Sequence, residues 1–139
     1  MGKLAPSIFR VALEVGSSEK ANAFYSELLG IAGRPVGGGR VYFDCGPVIL
    51  ALVDVSGGPR KPKPKPISQN IYFAVPDVDA VHSRAKKLRC LSTEDVHGES
   101  GGAVGMRPWR ERSFYAEDPW GNGLCFVDEK TLFTGERPR

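Results

Sequence analysis

The chain has 139 residues, of which 41% are hydrophobic and 25% charged, and its net charge at pH 7 is +3. This length fits one domain with an ordinary core, and the modest charge does not favour a nucleic-acid partner. No apolar run reaches the roughly 18 residues of a membrane span, and the first ten residues lack the apolar part of a signal peptide. We therefore expect a cytoplasmic protein without a membrane partner.

The first predicted elements are a strand and a helix. In "RVALEV", Val11, Leu13 and Val15 alternate with Arg10, Ala12 and Glu14, which predicts a strand whose apolar face lies under a helix. Ser17 or Ser18 is a suitable N-cap for a helix that follows, and Gly30 is suited to the left-handed residue after its end. The sequence "AGRPV" (32–36) predicts a weak strand, and "RVYFDCGPVILALVD" (40–54) predicts two stronger ones.

The segment "GGPRKPKPKPIS" (57–68) is rich in proline and positive charge. Such a segment favours an extended polyproline-type spacer, and it has no aromatic residues for stacking on bases. We expect a single domain over residues 1–139, with one module at 8–55, a linker at 56–68 and a second module at 69–133.

The second module repeats the plan of the first. Aligning Arg10 with Asn70 places the first strand and helix over "NIYFAVPDVDAVHSRAKKLRC" (70–90), with Asp77 as the N-cap of the second helix. "LALVD" likewise matches "LCFVD", which pairs Ala51 with Cys125. A weak strand at 91–96 and the turn "DPWGN" complete the pattern, so each half is a βαβββ unit and the fold class is α+β.

The loop "HGESGGAVGM" (97–106) contains four glycines and has no apolar periodicity. Such a loop is typical both of a lid over a binding site and of a surface insertion. The three cysteines, Cys45, Cys90 and Cys125, are odd in number and lack CxxC spacing, which predicts reduced and mostly buried thiols.

Together, the two βαβββ modules, "FYSELLG", "DVDAVHSRAKKL" and "SFYAEDPWGN" resemble the vicinal oxygen chelate superfamily. This superfamily includes glyoxalase I, extradiol dioxygenases and bleomycin-resistance proteins. The resemblance implies two curved, mostly antiparallel sheets around a cavity with the helices outside, and a homodimer as partner state. It implies no single reaction, because one fold hosts many sites.

In metal-dependent members, His, Gln and Glu ligands lie on the first and last strand of each module. The resemblance places those positions here at Arg10, Ala51, Asn70 and Cys125. Arginine has no acceptor, alanine has no ligand atom, and one thiolate does not make a site, so we expect no metal and no other cofactor. Glu14 and His97 remain as ligands from unusual places.

Without a metal, Arg10 is the most informative residue of the expected cavity, because an enclosed guanidinium needs a polar partner. Its two interpretations are orientation of an acidic or carbonyl-bearing ligand, and a position at a sheet edge or dimer interface. The three arginines of "RPWRERSFY" (107–115) could steer an anionic ligand or form solvated ion pairs. The cavity-lining residues that we predict are Arg10, Tyr42, Asn70, Tyr72, Trp109, Phe114 and Cys125, with Tyr115 as the alternative to Phe114.

The leading functional hypothesis is a metal-independent binding protein that sequesters a small organic ligand, aromatic or anionic, in a dimer cavity. Its alternative is a lyase, isomerase or dioxygenase that depends on a divalent metal held by displaced ligands. A third hypothesis is a thiol-dependent enzyme in which Arg10 lowers the pKa of Cys125. No catalytic residue can be assigned from the sequence.

Overall fold

The computed structural model describes residues 5–57, 60 and 62–135 of the chain. These residues belong to two compact units, Met1–Pro66 and Ile67–Arg139. The boundary between the units falls within the segment 56–68, which the sequence predicts to be a linker.

The first unit contains a four-stranded sheet and one α-helix. Its elements are β1 (Arg10–Val15), α1 (Ser18–Leu29), β2 (Arg34–Gly37), β3 (Arg40–Cys45) and β4 (Val48–Asp54). The strand order is β1-β4-β3-β2, in which β1 is parallel to β4 and the other pairs are antiparallel. A parallel pair requires a long crossover, which here includes α1.

The second unit repeats this topology. Its elements are β5 (Asn70–Val75), α2 (Val78–Lys87), β6 (Asp95–Val96), β7 (Glu99–Ser100), β8 (Gly105–Met106), β9 (Arg112–Glu117), β10 (Gly123–Asp128) and a short 3-10 helix (Glu129–Thr131). The strand order β5-β10-β9-β8 again joins one parallel pair to antiparallel ones. The predicted α+β class with two βαβββ modules is confirmed.

Both helices begin at the predicted caps. Ser17 accepts a hydrogen bond from the Lys20 amide (3.1 Å), and Asp77 accepts one from the Ala80 amide (3.0 Å). Gly30 ends α1 in the left-handed conformation with φ of 71°. These caps satisfy backbone groups that a helix end otherwise leaves without partners, which fixes where each helix starts and stops.

The core of each unit lies between its helix and one face of its sheet. In the first unit, Leu13 and Val15 of β1 are buried, as are Tyr25 and Leu28 of α1. In the second unit, Phe126 stacks on Phe73 and Phe114, with ring centroids 4.9 and 5.3 Å apart. Because side chains alternate along a strand, the remaining residues of each strand face away from the helix, and these form the face on which a ligand site is expected.

The prediction of a sheet strand at 91–96 was wrong. Leu91 makes an isolated bridge to Ala116, while β6 pairs with β7 in a separate two-stranded sheet, and the outer strand of the second sheet is β8. The close approach of Gly101 to the chain before it explains the difference: a Cβ there would lie 2.8 Å from the Glu94 carbonyl oxygen. The glycines thus let residues 92–102 fold back as a hairpin instead of extending.

The turn "DPWGN" is held by two buried polar residues. Asp118 accepts hydrogen bonds from the amides of Trp120 and Asn122, both at 2.9 Å, and from the Asn122 side chain at 2.8 Å. Asn122 in turn accepts the amide of Ile67 at 3.0 Å. The motif therefore fixes both the last hairpin and the start of the second unit, which is a structural role. None of the helices in the described part of the chain is long and apolar enough to cross a membrane.

Candidate functional site

In the first unit, Arg10 and Tyr42 come together on the sheet face opposite the helix. The guanidinium of Arg10 donates a hydrogen bond to the Tyr42 hydroxyl (3.3 Å) and lies over the rings of Phe9 and Tyr42, at 4.9 and 5.9 Å from their centroids. Arg10 is exposed and β1 is an edge strand. The sheet-edge interpretation of Arg10 therefore fits this geometry, and its partner is an aromatic side chain.

A second arginine approaches the same tyrosine. The Arg34 guanidinium lies 5.9 Å from the Tyr42 centroid and forms a bidentate pair with Asp44, at 2.8 and 2.9 Å. Its hydrogen bonds lower the pKa of the Asp44 carboxyl. Both side chains are at least half exposed, so solvent screens the pair.

Ala51 lies between these residues, on the central part of the first sheet. It pairs with Ala12 on one side and with Tyr42 on the other. Because Ala12 and Ala51 are both small, the Arg10 side chain can reach across β4 to the Tyr42 hydroxyl. Ala51, the counterpart of Cys125, therefore leaves space on the sheet and supplies no ligand atom.

In the second unit, three of the predicted residues share the equivalent face. Asn70 pairs with Gly123, and Tyr72 pairs with Cys125 in the next row. A Cβ on residue 123 would collide with the Asn70 side chain, and glycine at this position leaves room for the side-chain amide of Asn70. Cys125 also pairs with Tyr115 of β9, which places the thiol between two tyrosines.

Cys125 is a buried and protonated thiol. It is only 1% exposed, and it packs with Tyr115 and Val127 beneath Val96 of the folded-back hairpin. Burial raises its pKa to about 11, an effect that hydrogen bonds from Ser113 and Tyr115 and the charge of Arg107 only partly offset. A thiol that is closed to solvent and whose pKa is raised supplies little thiolate for attack on a substrate, which counts against the thiol-enzyme hypothesis.

The guanidinium of Arg107 is buried beside β9, on the same face of the second sheet as Cys125. It is 2% exposed and donates to the Ser113 hydroxyl (3.0 Å), the Ser113 carbonyl (2.8 Å) and the Ala103 carbonyl (3.1 Å). Its Nη1 has no hydrogen-bond partner among the described residues and lies 3.8 Å from the Glu99 carboxylate. Arg107 therefore links β9 to the glycine-rich loop and is not available to a ligand in the neighbouring cavity.

The second unit has an open cavity of about 590 Å³ at the end of this face. Its walls are mostly apolar, with a single carboxylate among the lining residues that the structure describes. The residues that define it are Tyr72, Trp109, Glu111, Val127, Leu132 and Phe133. An aromatic cavity of this size with few polar groups suits an organic molecule.

Glu111 is the polar centre of the cavity. One of its oxygens accepts a hydrogen bond from the Trp109 indole nitrogen, and the other accepts one from the Phe133 amide, both at 2.7 Å. These bonds fix the carboxylate, the indole and the residues after β10 relative to one another. His97 lies edge-on to Trp109, with 5.1 Å between the ring centroids.

Phe114 does not line the cavity. It is fully buried on the helix side of β9, where it stacks on Phe126 and meets the edge of His82 at 5.0 Å. Strand alternation accounts for this position, because Ser113 and Tyr115, its neighbours in β9, take the other face. Of the predicted residues, Tyr72 and Trp109 line the cavity, and Asn70 and Cys125 lie on the same sheet face without reaching it.

The family assignment rests on most of the chain. The model of the Glyoxalase/Bleomycin resistance protein/Dioxygenase superfamily matches residues 7–126. The chain belongs to this superfamily. The resemblance inferred from the sequence is thereby confirmed. No curated protein matches the chain in a sequence comparison.

Solved structures of the superfamily share the fold at low sequence identity. A lactoylglutathione lyase from Agrobacterium tumefaciens is 25% identical, with a TM-score of 0.62 over 91% of this chain and 96% of that one. The oxidase ChaP-H2 is 20% identical, with a TM-score of 0.70 over 90% and 94%. A bleomycin resistance determinant encoded on the transposon Tn5 is 16% identical, with a TM-score of 0.64 over 90% and 99%. These likenesses show a common fold and assign no reaction to this chain.

The residues at the metal positions of the superfamily do not fit a divalent ion. Arg10 bonds to Tyr42, Ala51 has no donor atom, Asn70 offers a neutral amide, and Cys125 is protonated between tyrosines. Of the two substitutes, Glu14 accepts the Lys65 amide at 2.8 Å and His97 packs on Trp109. Within the part of the chain that is described, no group of three or more His, Cys, Asp or Glu side chains could hold a metal.

Several cavity residues were not predicted from the sequence. Glu111 stands among the arginines of "RPWRERSFY", and Leu132 and Phe133 follow the last strand without any periodic pattern. Alternation could not have joined Glu111 to Trp109, because Trp109 lies in a turn and not in an extended segment. The contribution of Leu132 and Phe133 depends on their tertiary position, which no local pattern encodes.

Proposed function

We propose that this protein is a metal-independent binding protein that sequesters a small organic molecule in the cavity of its second unit. The observation that carries the proposal is the set of exposed aromatic rings around one fixed carboxylate. Tyr72 and Phe133 are 58% and 56% exposed, although both are large apolar side chains. A ligand that covered these rings would remove apolar surface from water, which is the usual source of affinity in such a site.

Binding is favoured over catalysis because the site lacks a nucleophile with a base beside it. The only thiol on this sheet face, within the residues described, is Cys125, and its pKa is raised to about 11. Glu111 already accepts two hydrogen bonds, which hold it as an anchor. Such an arrangement orients a bound molecule more readily than it activates one.

The proposal includes a cytoplasmic homodimer. Ile8 and Phe9 before β1 are 74% and 58% exposed, and Met106 of β8 is 57% exposed. Exposed apolar side chains of this size support burial against a second copy of the chain. Native mass spectrometry should then report twice the 15.1 kDa chain mass, and a monomer at micromolar concentration would contradict the dimer.

The binding proposal is tested by closing the cavity. Ala74 lies on the exposed face of β5 and lines the cavity, so Ala74→Trp should fill it without disturbing the core. Calorimetric titration of the wild-type protein with small aromatic alcohols and amines should show saturable binding, and Ala74→Trp should weaken it at least tenfold. Ala32→Trp, at an exposed loop position of the first unit, is the matched control and should bind as the wild type does.

Two results would contradict the proposal. Absence of saturable binding to any aromatic probe would show that the cavity is not a ligand site. Equal affinity in Ala74→Trp and the wild type would show that binding occurs elsewhere on the protein.

A further inference from the structure

We infer that the cavity of the second unit selects organic cations, namely molecules that carry an ammonium group on an aromatic or aliphatic body. The inference rests on the proposed binding function and specifies its ligand class. It follows from the placement of one carboxylate among aromatic rings and from where the surrounding arginines point. Each of these observations concerns the sign of the charge that a ligand would meet.

The carboxylate of Glu111 keeps its negative charge available to a ligand. Its two partners are the Trp109 indole N–H and the Phe133 amide, which are neutral donors. None of the ion pairs formed by the described residues involves Glu111. Each carboxylate oxygen has a second acceptor position, so an ammonium group with an N–H can still donate to it, and a quaternary ammonium group can approach it as an opposite charge.

The neighbouring arginines do not compensate this charge. Arg107 is buried and directed to Ser113 and Ala103, as described above. Arg112 points to the helix side, where it pairs with Asp79 at 2.9 Å and approaches Asp128 at 4.0 Å. Arg110, next to Glu111, is exposed, and none of these three arginines is among the described residues that line the cavity. Although the segment 107–115 is rich in arginine, the charged group that it contributes to the cavity is the carboxylate of Glu111.

The aromatic walls favour the same sign. Tyr72, Trp109 and Phe133 line the cavity with Glu111, and the faces of such rings attract cations through their quadrupoles. A carboxylate beside several rings is the arrangement that binds alkylated and quaternary ammonium groups in proteins. A phosphate or carboxylate ligand would instead meet the negative charge of Glu111.

A structural role for Glu111 would also explain its two hydrogen bonds, because they tie Trp109 to the chain after β10. The two roles are separable, since glutamine retains an acceptor oxygen but has no charge. Glu111→Gln should therefore keep one of the two hydrogen bonds, lose the other and remove selection by charge, and the affinity for a neutral probe reports whether the cavity keeps its shape. Glu27→Gln, on the exposed side of α1, makes the same change in net charge far from the cavity in sequence and is the matched control.

The experiment compares three probes of similar size: phenyltrimethylammonium, benzyl alcohol and phenylacetate. Dissociation constants are measured by calorimetry at low salt for the wild type, Glu111→Gln and Glu27→Gln. We expect the wild type and Glu27→Gln to bind phenyltrimethylammonium at least tenfold more tightly than benzyl alcohol, with phenylacetate weakest. In Glu111→Gln, cation affinity should fall about tenfold while benzyl alcohol binding changes less than twofold.

The outcomes separate this inference from the proposed function. Comparable affinities for the three probes in the wild type, or an unchanged cation preference in Glu111→Gln, would overturn cation selection and leave the binding function in place. No saturable binding of any probe to the wild type would overturn both. Circular dichroism and thermal unfolding of each variant establish that the comparison is made between folded proteins, and an unfolded Glu111→Gln is replaced by Glu111→Met, for which the same loss of preference is expected.

Discussion

The Arg107 guanidinium lies over the ring of Tyr115, 5.2 Å from its centroid, while three of its hydrogen bonds hold Ser113 and the loop carbonyl of Ala103. Replacing it by methionine would leave these buried acceptors without their donor. We expect Arg107→Met to lower the free energy of unfolding by about 2–4 kcal/mol in urea denaturation. Arg107→Lys should recover little of this, because an ammonium cannot reproduce the planar fork.

The control for this prediction is Glu99, the carboxylate nearest to Arg107. Its side chain is 64% exposed and lies 3.8 Å from the guanidinium, so solvent screens their attraction. Glu99→Gln should therefore change the free energy of unfolding by less than about 1 kcal/mol. Similar costs for Glu99→Gln and Arg107→Met would show that the ion pair, and not the hydrogen bonds, stabilises this region.

A methyl group at Gly123 should be destabilising, although alanine usually stabilises a strand relative to glycine. The reason is steric, because a Cβ at this position would overlap the Asn70 side chain on the neighbouring strand. We expect Gly123→Ala to cost about 1–3 kcal/mol of unfolding free energy. The double variant Asn70→Ala/Gly123→Ala should recover most of that cost, and additive losses in the two single variants would contradict the contact.

The stability of the protein should fall at alkaline pH. Burial raises the pKa of Cys90 and of Cys125 from 9.0 to about 11, so the folded chain holds these protons more tightly than the unfolded chain. Their contribution is complete below about pH 9 and is lost as the pH rises to about 11, and it amounts to roughly 2 kcal/mol for Cys125 and less for Cys90, which is less deeply buried. Urea denaturation between pH 8 and 11 measures this loss.

The pH prediction is specific to the thiols. The variant Cys90→Ala/Cys125→Ala should show a shallower decline over the same range, with a residual loss because burial also raises the pKa of Tyr115. Parallel pH profiles for the wild type and the double variant would contradict it.

Ligand binding should not depend on a divalent metal. Arg10, Ala51, Asn70 and Cys125 stand at the metal positions of the superfamily and offer no matched set of donors. Protein purified without a tag should contain far less than one Zn, Mn, Fe or Ni per chain by elemental mass spectrometry, and chelation should leave probe affinity unchanged. Stoichiometric metal, or binding that chelation abolishes and metal restores, would contradict this prediction.

The sequence was sufficient for the architecture because the architecture is encoded locally. Alternating apolar residues in β1 and β5 defined the buried faces, and Ser17, Gly30 and Asp77 marked the helix ends. The internal repeat then identified the second module as a copy of the first. The strand and helix signals depend on neighbours within a few residues, which is the range over which sequence patterns are reliable.

The site was only partly predictable because its residues depend on irregular backbone. Arg110 adopts a positive φ of 73° in the turn before β9, and this reverses the alternation that would otherwise assign faces to Arg107, Trp109 and Glu111. The charges along "RPWRERSFY" therefore predict a basic rim, whereas Arg107 is buried against Ser113 and Arg112 pairs with Asp79 on the helix side. The placement of Phe114 failed for a simpler reason, since the strand register was uncertain by one residue.

The outer strands of the two sheets limit how the protein can associate through its backbone. Pro35 in β2 lacks an N–H, and the register shifts between Pro35 and Gly37, so that edge is a poor template for another strand. The corresponding strand of the second sheet, β8, is two residues long. The opposite edges, β1 and β5, each run for six residues. Strand addition by another molecule, whether a second copy of this chain or an extended peptide, is therefore directed to β1 and β5 and away from β2 and β8.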